Sequence, residues 1–237
     1  MKLLALDTST EACSAALLID DTLTERYRVA PREHGQLILS MAEELLAEAG
    51  VRPAELDALA VTRGPGGFTG LRIGIGVAQG IAFAADLPVV TVSTLAALAQ
   101  GAWREHQARR VIAAIDARMQ EVYVGLYALD ADEIMRPVVA ECVCAAAAAP
   151  LPLEEARWLG VGTGFVADAE VLAARYGAAL AAAHPALPRA RDVAVLGREG
   201  LHAGEAVAAD AVQPVYLRDE VARPKVPPQS QPNKEPS

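Results

Sequence analysis

The sequence contains very little lysine. Only Lys2, Lys225 and Lys234 are lysines among 237 residues, and the formal net charge is −9. Small groups of arginines occur at 104–110 and 189–191, but the sequence shows no basic stripe. A protein that binds nucleic acid by itself neutralises phosphates with a basic face, so this composition excludes strong nucleic-acid binding by the chain alone.

Cysteine and uninterrupted apolar runs are also scarce. Cys142 and Cys144 form a C-x-C pair with no histidine nearby, which favours two strand residues over a metal site. The longest apolar stretch, 71–85, contains Arg72 and Gln79, and the first residues turn polar too early for a secretory signal. We therefore expect a cytoplasmic protein with reduced thiols, no bound metal and no membrane span.

Apolar residues make up 53% of the chain, and their spacing predicts a regular order of strands and helices. The expected order in the first half is βββαβαβα, with strands at 2–7, 12–19, 23–29, 57–62 and 88–93 and helices at 34–50, about 70–85 and 94–106. Three antiparallel strands extended by crossover-connected strands form the mixed sheet of a ribonuclease-H-like fold.

The order of elements then restarts, with a third strand expected at 133–143, a further strand at 157–162 and a helix at 166–176. Residues 3–18 align without a gap with residues 112–127, and Asp7 falls on Asp116. This repeat predicts an α/β chain of two tandem ribonuclease-H-like (actin-like ATPase) lobes that face a cleft, each a mixed sheet with flanking helices. We expect lobes at 1–106 and 107–218, a last helix at 190–204 that belongs to either lobe or crosses the hinge, and a disordered tail at 219–237.

A glycine-rich segment, TRGPGGFTGLRIGIG at 62–76, lies between a predicted strand and a predicted helix. It contains neither the dinucleotide fingerprint nor a phosphate-loop lysine. Its backbone amides nevertheless suit a residual nucleotide or anion site, and the candidate residues in this segment are Gly64, Gly66, Gly67, Thr69 and Gly70. The alternative is tight packing, since the small residues form two rows along the helix, 70/74/78/82 and 76/80/84.

Asp7, Thr8 and Ser9 are the second candidate group for that site. A carboxylate at the end of a first strand, followed by hydroxyls in a turn, suits a metal-bound phosphate, with Asp116 as its partner across the cleft. One hypothesis is therefore a stand-alone actin-like ATPase or kinase. The alternative is an ordinary Asx-turn, and Ala117 and Arg118 after Asp116 weaken a second phosphate turn.

Four segments carry a resemblance to a known family: LALDTSTEACSAAL, HGQLILSMAEELL, RGPGGFTGLRIGIGVAQGIAFAADLPVVTVSTL and QPVYLRDEVA. They resemble the bacterial TsaB family of threonylcarbamoyladenosine biosynthesis proteins from residue 2 to about residue 222. The resemblance implies a subunit that pairs with TsaD, the enzyme that transfers threonylcarbamoyl to adenosine 37 of tRNAs reading A-starting codons. It also implies that TsaE joins the pair, that the subunit forms a homodimer when alone, and that tRNA is bound only through the complex.

The resemblance also implies that this subunit is not catalytic. TsaD holds a metal in part by an H-x-x-x-H motif, and Thr94 and Leu98 stand at the two histidine positions here. Neither side chain replaces an imidazole, so we expect no catalytic residue, no required cofactor and no metallopeptidase activity. A nucleotide is not required on this interpretation, and a residual nucleotide or anion site at residues 64–70 stays open.

The expected partner surface lies on two helices. From the resemblance we assign it to apolar residues that share helix faces, namely Leu37, Met41, Leu45, Ile73 and Val77. Such a face buried against a like face forms a helical bundle interface.

Overall fold

A computed structural model describes residues 1–218, and the predicted disordered tail at 219–237 lies outside the described residues. The described chain forms two five-stranded mixed sheets. The first sheet has the order β3-β2-β1-β4-β5. Its strands are β1 (Lys2–Asp7), β2 (Ala12–Ile19), β3 (Thr22–Val29), β4 (Ala58–Gly64) and β5 (Val89–Ser93).

The second sheet repeats this arrangement with the order β10-β9-β6-β7-β8. Its strands are β6 (Arg110–Arg118), β7 (Glu121–Leu129), β8 (Met135–Ala145), β9 (Trp158–Val161) and β10 (Leu180–His184). In both sheets the first three strands are antiparallel and the later ones join in parallel. The predicted fold class, two tandem ribonuclease-H-like lobes, is confirmed.

Residues 1–218 contain six α-helices, five between strands and one after the last strand. They are α1 (His34–Ala49), α2 (Phe68–Ala85), α3 (Thr94–His106), α4 (Gly164–Ala167), α5 (Ala169–Tyr176) and α6 (Ala190–His202). One continuous helix was predicted at 166–176, but two short helices meet at Asp168, whose φ of −124° is not helical. Strand β10 was not predicted, because its sequence LAAAH lacks an alternating pattern.

The helices place one core on each face of the first sheet. Helices α1 and α2 cover one face together with Leu6, Leu17 and Leu59. Helix α6 covers the other face, with Val193 and Ala194 buried among strand residues. The sequence analysis expected a second lobe that runs from 107 to 218. Since α6 packs on the first sheet, we propose that the second lobe ends before α6 and that the chain then returns to the first lobe.

Helix α3 leads from the first sheet to the second. Its first turn is capped by Ser93, whose Oγ accepts hydrogen bonds from the amides of Leu95 (3.1 Å) and Ala96 (3.4 Å). The Ser93 hydroxyl also bonds to Glu141 of β8, which links the end of the first sheet to the second. A cleft lies between the two lobes, at the ends of β1 and β6.

Candidate functional site

Asp7 ends β1 beneath the cleft and is completely buried. Its Oδ1 accepts hydrogen bonds from the Ser9 amide (3.2 Å), the Ser9 hydroxyl (2.6 Å) and the Thr62 hydroxyl (2.7 Å). Its Oδ2 is buried without a hydrogen-bond partner among residues 1–218. Burial raises the pKa of Asp7 because the charged form is disfavoured there, and the three hydrogen bonds oppose that shift only partly.

The glycine-rich segment packs against the turn that follows Asp7. The Gly67 amide donates to the Ser9 carbonyl (2.8 Å), and the Thr8 hydroxyl donates to the Gly70 carbonyl (2.7 Å). A Cβ atom at Gly66 or Gly70 would lie within 3.0 Å of a backbone oxygen of this turn. These glycines therefore permit close contact between two backbones of the same chain.

The two rows of small residues on α2 face different surroundings. A Cβ at Gly74 would lie within 3.0 Å of Thr8 Oγ1, so the first row packs inside the lobe. A Cβ at Gly76 or Gly80 would meet no atom within 4 Å, so the second row faces outward. Helix α2 begins at Phe68, with Gly67 as its N-cap, and Thr69 lies in its first turn at the cleft.

Asp116 occupies the position equivalent to Asp7 in the second lobe. Its carboxylate accepts a hydrogen bond from the Arg118 amide (2.7 Å) and forms an ion pair with the Arg118 guanidinium (2.9 Å). The Asp7 carboxylate is thus buried, and the Asp116 carboxylate is paired with an arginine of the same hairpin. Because Mg²⁺ bound to a nucleotide needs accessible carboxylate oxygens, these residues fit a metal–nucleotide complex poorly. The geometry disfavours the ATPase or kinase hypothesis.

The cleft itself is a cavity of about 900 Å³. Its walls combine the candidate residues Thr8, Ser9, Gly66, Gly67, Thr69 and Gly70 with cationic, acidic and apolar side chains from both lobes. Gly64 and Asp7 do not belong to its lining; the φ of +108° at Gly64 instead lets the chain turn beside the Val215 carbonyl. The structure therefore brings most of the predicted site residues to one cleft, whereas Asp7 is buried and does not contact the cavity.

Sequence reasoning missed the cleft residues that come from distant segments. His34 contacts the turn between β1 and β2, since its Nε2 lies 2.8 Å from the Thr10 carbonyl oxygen and 3.2 Å from the Ala12 carbonyl oxygen. Arg32, Tyr123 and Arg218 line the cleft as well. No spacing in the sequence relates these residues to the glycine-rich segment, because only the tertiary structure brings them together.

Thr94 and Leu98 are both buried at the start of α3. Leu98 packs in the apolar core between α3 and the second sheet, and Thr94 Oγ1 has no hydrogen-bond partner among the described residues. Within residues 1–218, no group of three or more histidine, cysteine, aspartate or glutamate side chains is arranged to hold a metal ion. The residues at these two positions fit a packed core and not a metal centre.

The predicted partner surface needs a correction at two positions. Leu45 is 1% exposed and Met41 is 8% exposed, because both side chains pack in the core between α1 and the first sheet. Neither side chain offers surface to a partner, and a charge at Met41 would be buried in the chain's own core. Leu37, Ile73 and Val77 are partly exposed at the edge of this core, so they stay candidates.

The fold and the cleft define a class of protein: a two-lobed chain of the actin-like, ribonuclease-H-like type. Residues 27–226 match the family model described as TsaD, tRNA N6-adenosine threonylcarbamoyltransferase. The chain is 43% identical over 229 residues to the Escherichia coli tRNA threonylcarbamoyladenosine biosynthesis protein TsaB, with 96% of this chain and 99% of that protein covered.

Two further proteins are similar over nearly their full length. The Haemophilus influenzae TsaB protein is 42% identical over 234 residues, with 96% of this chain and 98% of that protein covered. The solved structure of YeaZ from Pseudomonas aeruginosa superposes with a TM-score of 0.85 at 47% identity, with 91% of this chain and 99% of that chain covered. The chain belongs to the TsaB family of tRNA threonylcarbamoyladenosine biosynthesis proteins.

Proposed function

We propose that this protein is a non-catalytic subunit of the complex that installs threonylcarbamoyl on adenosine 37 of tRNA. It binds and stabilises TsaD through the outward face of α1 and α2, and it helps to recruit TsaE. The observation that carries this proposal is the open row of small residues on α2.

The outward face of α2 is apolar and lacks side chains where a partner helix would cross. Only five of the eighteen residues of α2 are buried, although by length and composition it is the one helix of residues 1–218 apolar enough to cross a membrane. Gly76 and Gly80 leave the backbone bare, with Ile73 and Val77 beside them. Glycines at i and i+4 that pack against nothing in their own chain let another helix approach closely, as in a helical bundle.

Helix α1 extends the same face. Leu39 is exposed, Leu37 is half-buried, and Gly35 lies close to the Ile73 side chain. We define the partner face as Leu37, Leu39, Ile73, Gly76, Val77 and Gly80. In the absence of TsaD the same face pairs with a second copy of itself, which accounts for the homodimer expected when the subunit is alone.

The cleft supports the non-catalytic part of the proposal. Asp7 is buried, Asp116 is paired with Arg118, and Thr94 and Leu98 lie in a core. The low lysine content and the net charge of −9 support the view that tRNA is bound by the complex and not by this chain alone.

The test is a substitution that blocks the face without harming the fold. Gly80→Arg adds a long side chain in open space and replaces a poor helix former, so we expect unchanged or higher thermal stability. We expect loss of the complex with TsaD, measured by size-exclusion chromatography and calorimetry. The matched control is Ala173→Arg on the exposed surface of α5, which should leave the complex intact.

A well-folded Gly80→Arg variant that binds TsaD as tightly as the original chain would show that the partner face lies elsewhere. Threonylcarbamoylation of tRNA by this chain without TsaD, with threonylcarbamoyl-adenylate supplied, would refute the non-catalytic assignment.

A further inference from the structure

A segment that follows α6 runs along α2 and ends at the second lobe. We call residues 212–218 the latch segment. Val212 is buried in the core of the first lobe, and its carbonyl accepts a hydrogen bond from the Gln79 side chain (3.1 Å). The Val215 amide donates to the Arg63 carbonyl of β4 (2.8 Å). These contacts fix the first half of the latch segment on the first lobe.

Tyr216 extends this attachment to the start of α2. Its hydroxyl accepts a hydrogen bond from Arg72 Nε (3.1 Å), and its ring stacks on Phe68 with the ring centroids 5.9 Å apart. Arg72 and Gln79 lie four and three residues from Gly76, so they are its neighbours on the helix surface. The latch segment therefore follows one edge of the outward row of small residues on α2.

Arg218 connects the latch segment to the second lobe. Its guanidinium donates to the Ala117 carbonyl (3.1 Å) and forms an ion pair with Glu121. Ala117 and Glu121 lie on the two sides of the turn between β6 and β7, so one side chain bridges both strands of this hairpin. Arg218 and Ala117 also belong to the cleft lining, so this bridge holds part of the cleft wall.

The bridged turn has an unfavourable backbone conformation. Arg118, Met119 and Gln120 all have positive φ angles, of +65°, +59° and +62°. Tight hairpin turns with positive φ are usually built from glycine, asparagine or aspartate, because larger side chains disfavour this conformation. Met119 is 84% exposed, so packing of its own side chain does not hold the turn. Such a conformation persists where surrounding contacts hold it, and the Arg218 bridge supplies contacts of this kind.

We propose that residues 212–218 act as a latch that holds the strained β6–β7 turn and, with it, the second-lobe wall of the interlobe cleft. Release of Arg218 lets the three turn residues leave the left-handed region, and the end of the hairpin then separates from the first lobe. Because the latch segment is attached to α2, it connects the surface of that helix to the width of the cleft. This inference rests on contacts within the chain and does not depend on the proposed role in the TsaD complex.

The test is hydrogen–deuterium exchange on the full-length chain, read by mass spectrometry at the amides of 117–122. Arg218→Met keeps a long side chain but removes the charged hydrogen bond and the ion pair, so exchange of these amides should become about tenfold faster. Tyr216→Ala loosens the latch segment from α2 and should accelerate the same amides to a smaller extent. The matched control is Arg110→Met, which removes an ion pair with Glu154 (3.0 Å) at the other end of β6 and should leave exchange at 117–122 unchanged.

A second background separates backbone strain from the simple loss of an ion pair. Met119→Asn with Gln120→Gly supplies residues that favour positive φ, so the hairpin should keep its protection even when Arg218→Met is added. Acceleration of the same size in both backgrounds would overturn the proposal, because the latch would then hold no strained turn. Exchange at the original rate in Arg218→Met would overturn it too, as would an equal effect of Arg110→Met. A response to Arg218→Met without any response to Tyr216→Ala would refute the connection to α2.

Discussion

The opposite orientation of the two glycine rows on α2 predicts opposite effects of the same substitution. Gly74→Ala places a methyl group within 3.0 Å of Thr8 Oγ1, in the interior of the lobe. Thr8 is buried and its hydroxyl donates to the Gly70 carbonyl, so any shift of the side chain breaks that hydrogen bond. Gly76→Ala places the same methyl group where no atom lies within 4 Å.

The magnitudes follow from three terms. Alanine in place of glycine stabilises a helix interior by about 1 kcal/mol at either position. At Gly74, overpacking costs about 1–3 kcal/mol. The lost hydrogen bond costs about 1 kcal/mol more. We therefore expect Gly74→Ala to lower the free energy of unfolding by about 1–3 kcal/mol and Gly76→Ala to raise it by about 1 kcal/mol.

The measurement is a pair of denaturant titrations and thermal melts. For a chain of this size, 1 kcal/mol shifts the melting temperature by about 2–4 °C, so the two variants should melt on opposite sides of the original protein. If Gly74→Ala were as stable as Gly76→Ala, the first row would not pack on the Asp7–Ser9 turn. The explanation of the glycine-rich segment as a packing device would then be refuted.

Two further predictions concern buried charge. Asp7→Asn should raise the free energy of unfolding at neutral pH, because the raised pKa of Asp7 means that its charged form is disfavoured in the folded state. This difference between variant and original chain should shrink on acidification and vanish below the ordinary aspartate pKa of 3.8, as measured by thermal melts across pH. Arg104→Met should lower the free energy of unfolding by about 3 kcal/mol, because the buried Asp192 then loses both guanidinium hydrogen bonds (2.9 and 2.8 Å) that link α3 to α6. Adding Asp192→Leu should recover most of that loss. Equal stability of the single and double variants would contradict the prediction.

Local patterns predicted most of the elements. The helical spacing at 34–50 corresponds to α1, which ends at Ala49 with Gly50 in the left-handed conformation. The alignment of Asp7 with Asp116 correctly predicted that the second sheet repeats the order of the first. Strand β10 was missed because its sequence has no clear period and its pairing with β9 decides the structure. The break at Asp168 was missed as well, since the apolar spacing continues across it.

The candidate site was only partly predictable, for a physical reason. The sequence places Asp7, Thr8 and Ser9 in a turn, but it does not tell how much of each side chain water can reach. Access depends on Thr62 of β4 and on the glycine-rich segment, which close over Asp7 only when the sheet has formed. The same limit applies to Met41 and Leu45, whose helix face is apolar whether it meets its own sheet or a partner.

Residue types and their spacing were enough to predict the family, the two-lobed order of strands and helices, and the two rows of small residues on α2. Each is a local property, since residue type and spacing set strand, helix and turn before any distant contact forms. Three features became visible only in the tertiary structure. They are the row of small residues that packs inward, the burial of Asp7 with the ion pair of Asp116, and the packing of α6 on the first sheet. These depend on contacts between residues far apart in the chain, such as Gly74 with Thr8, which no local pattern encodes.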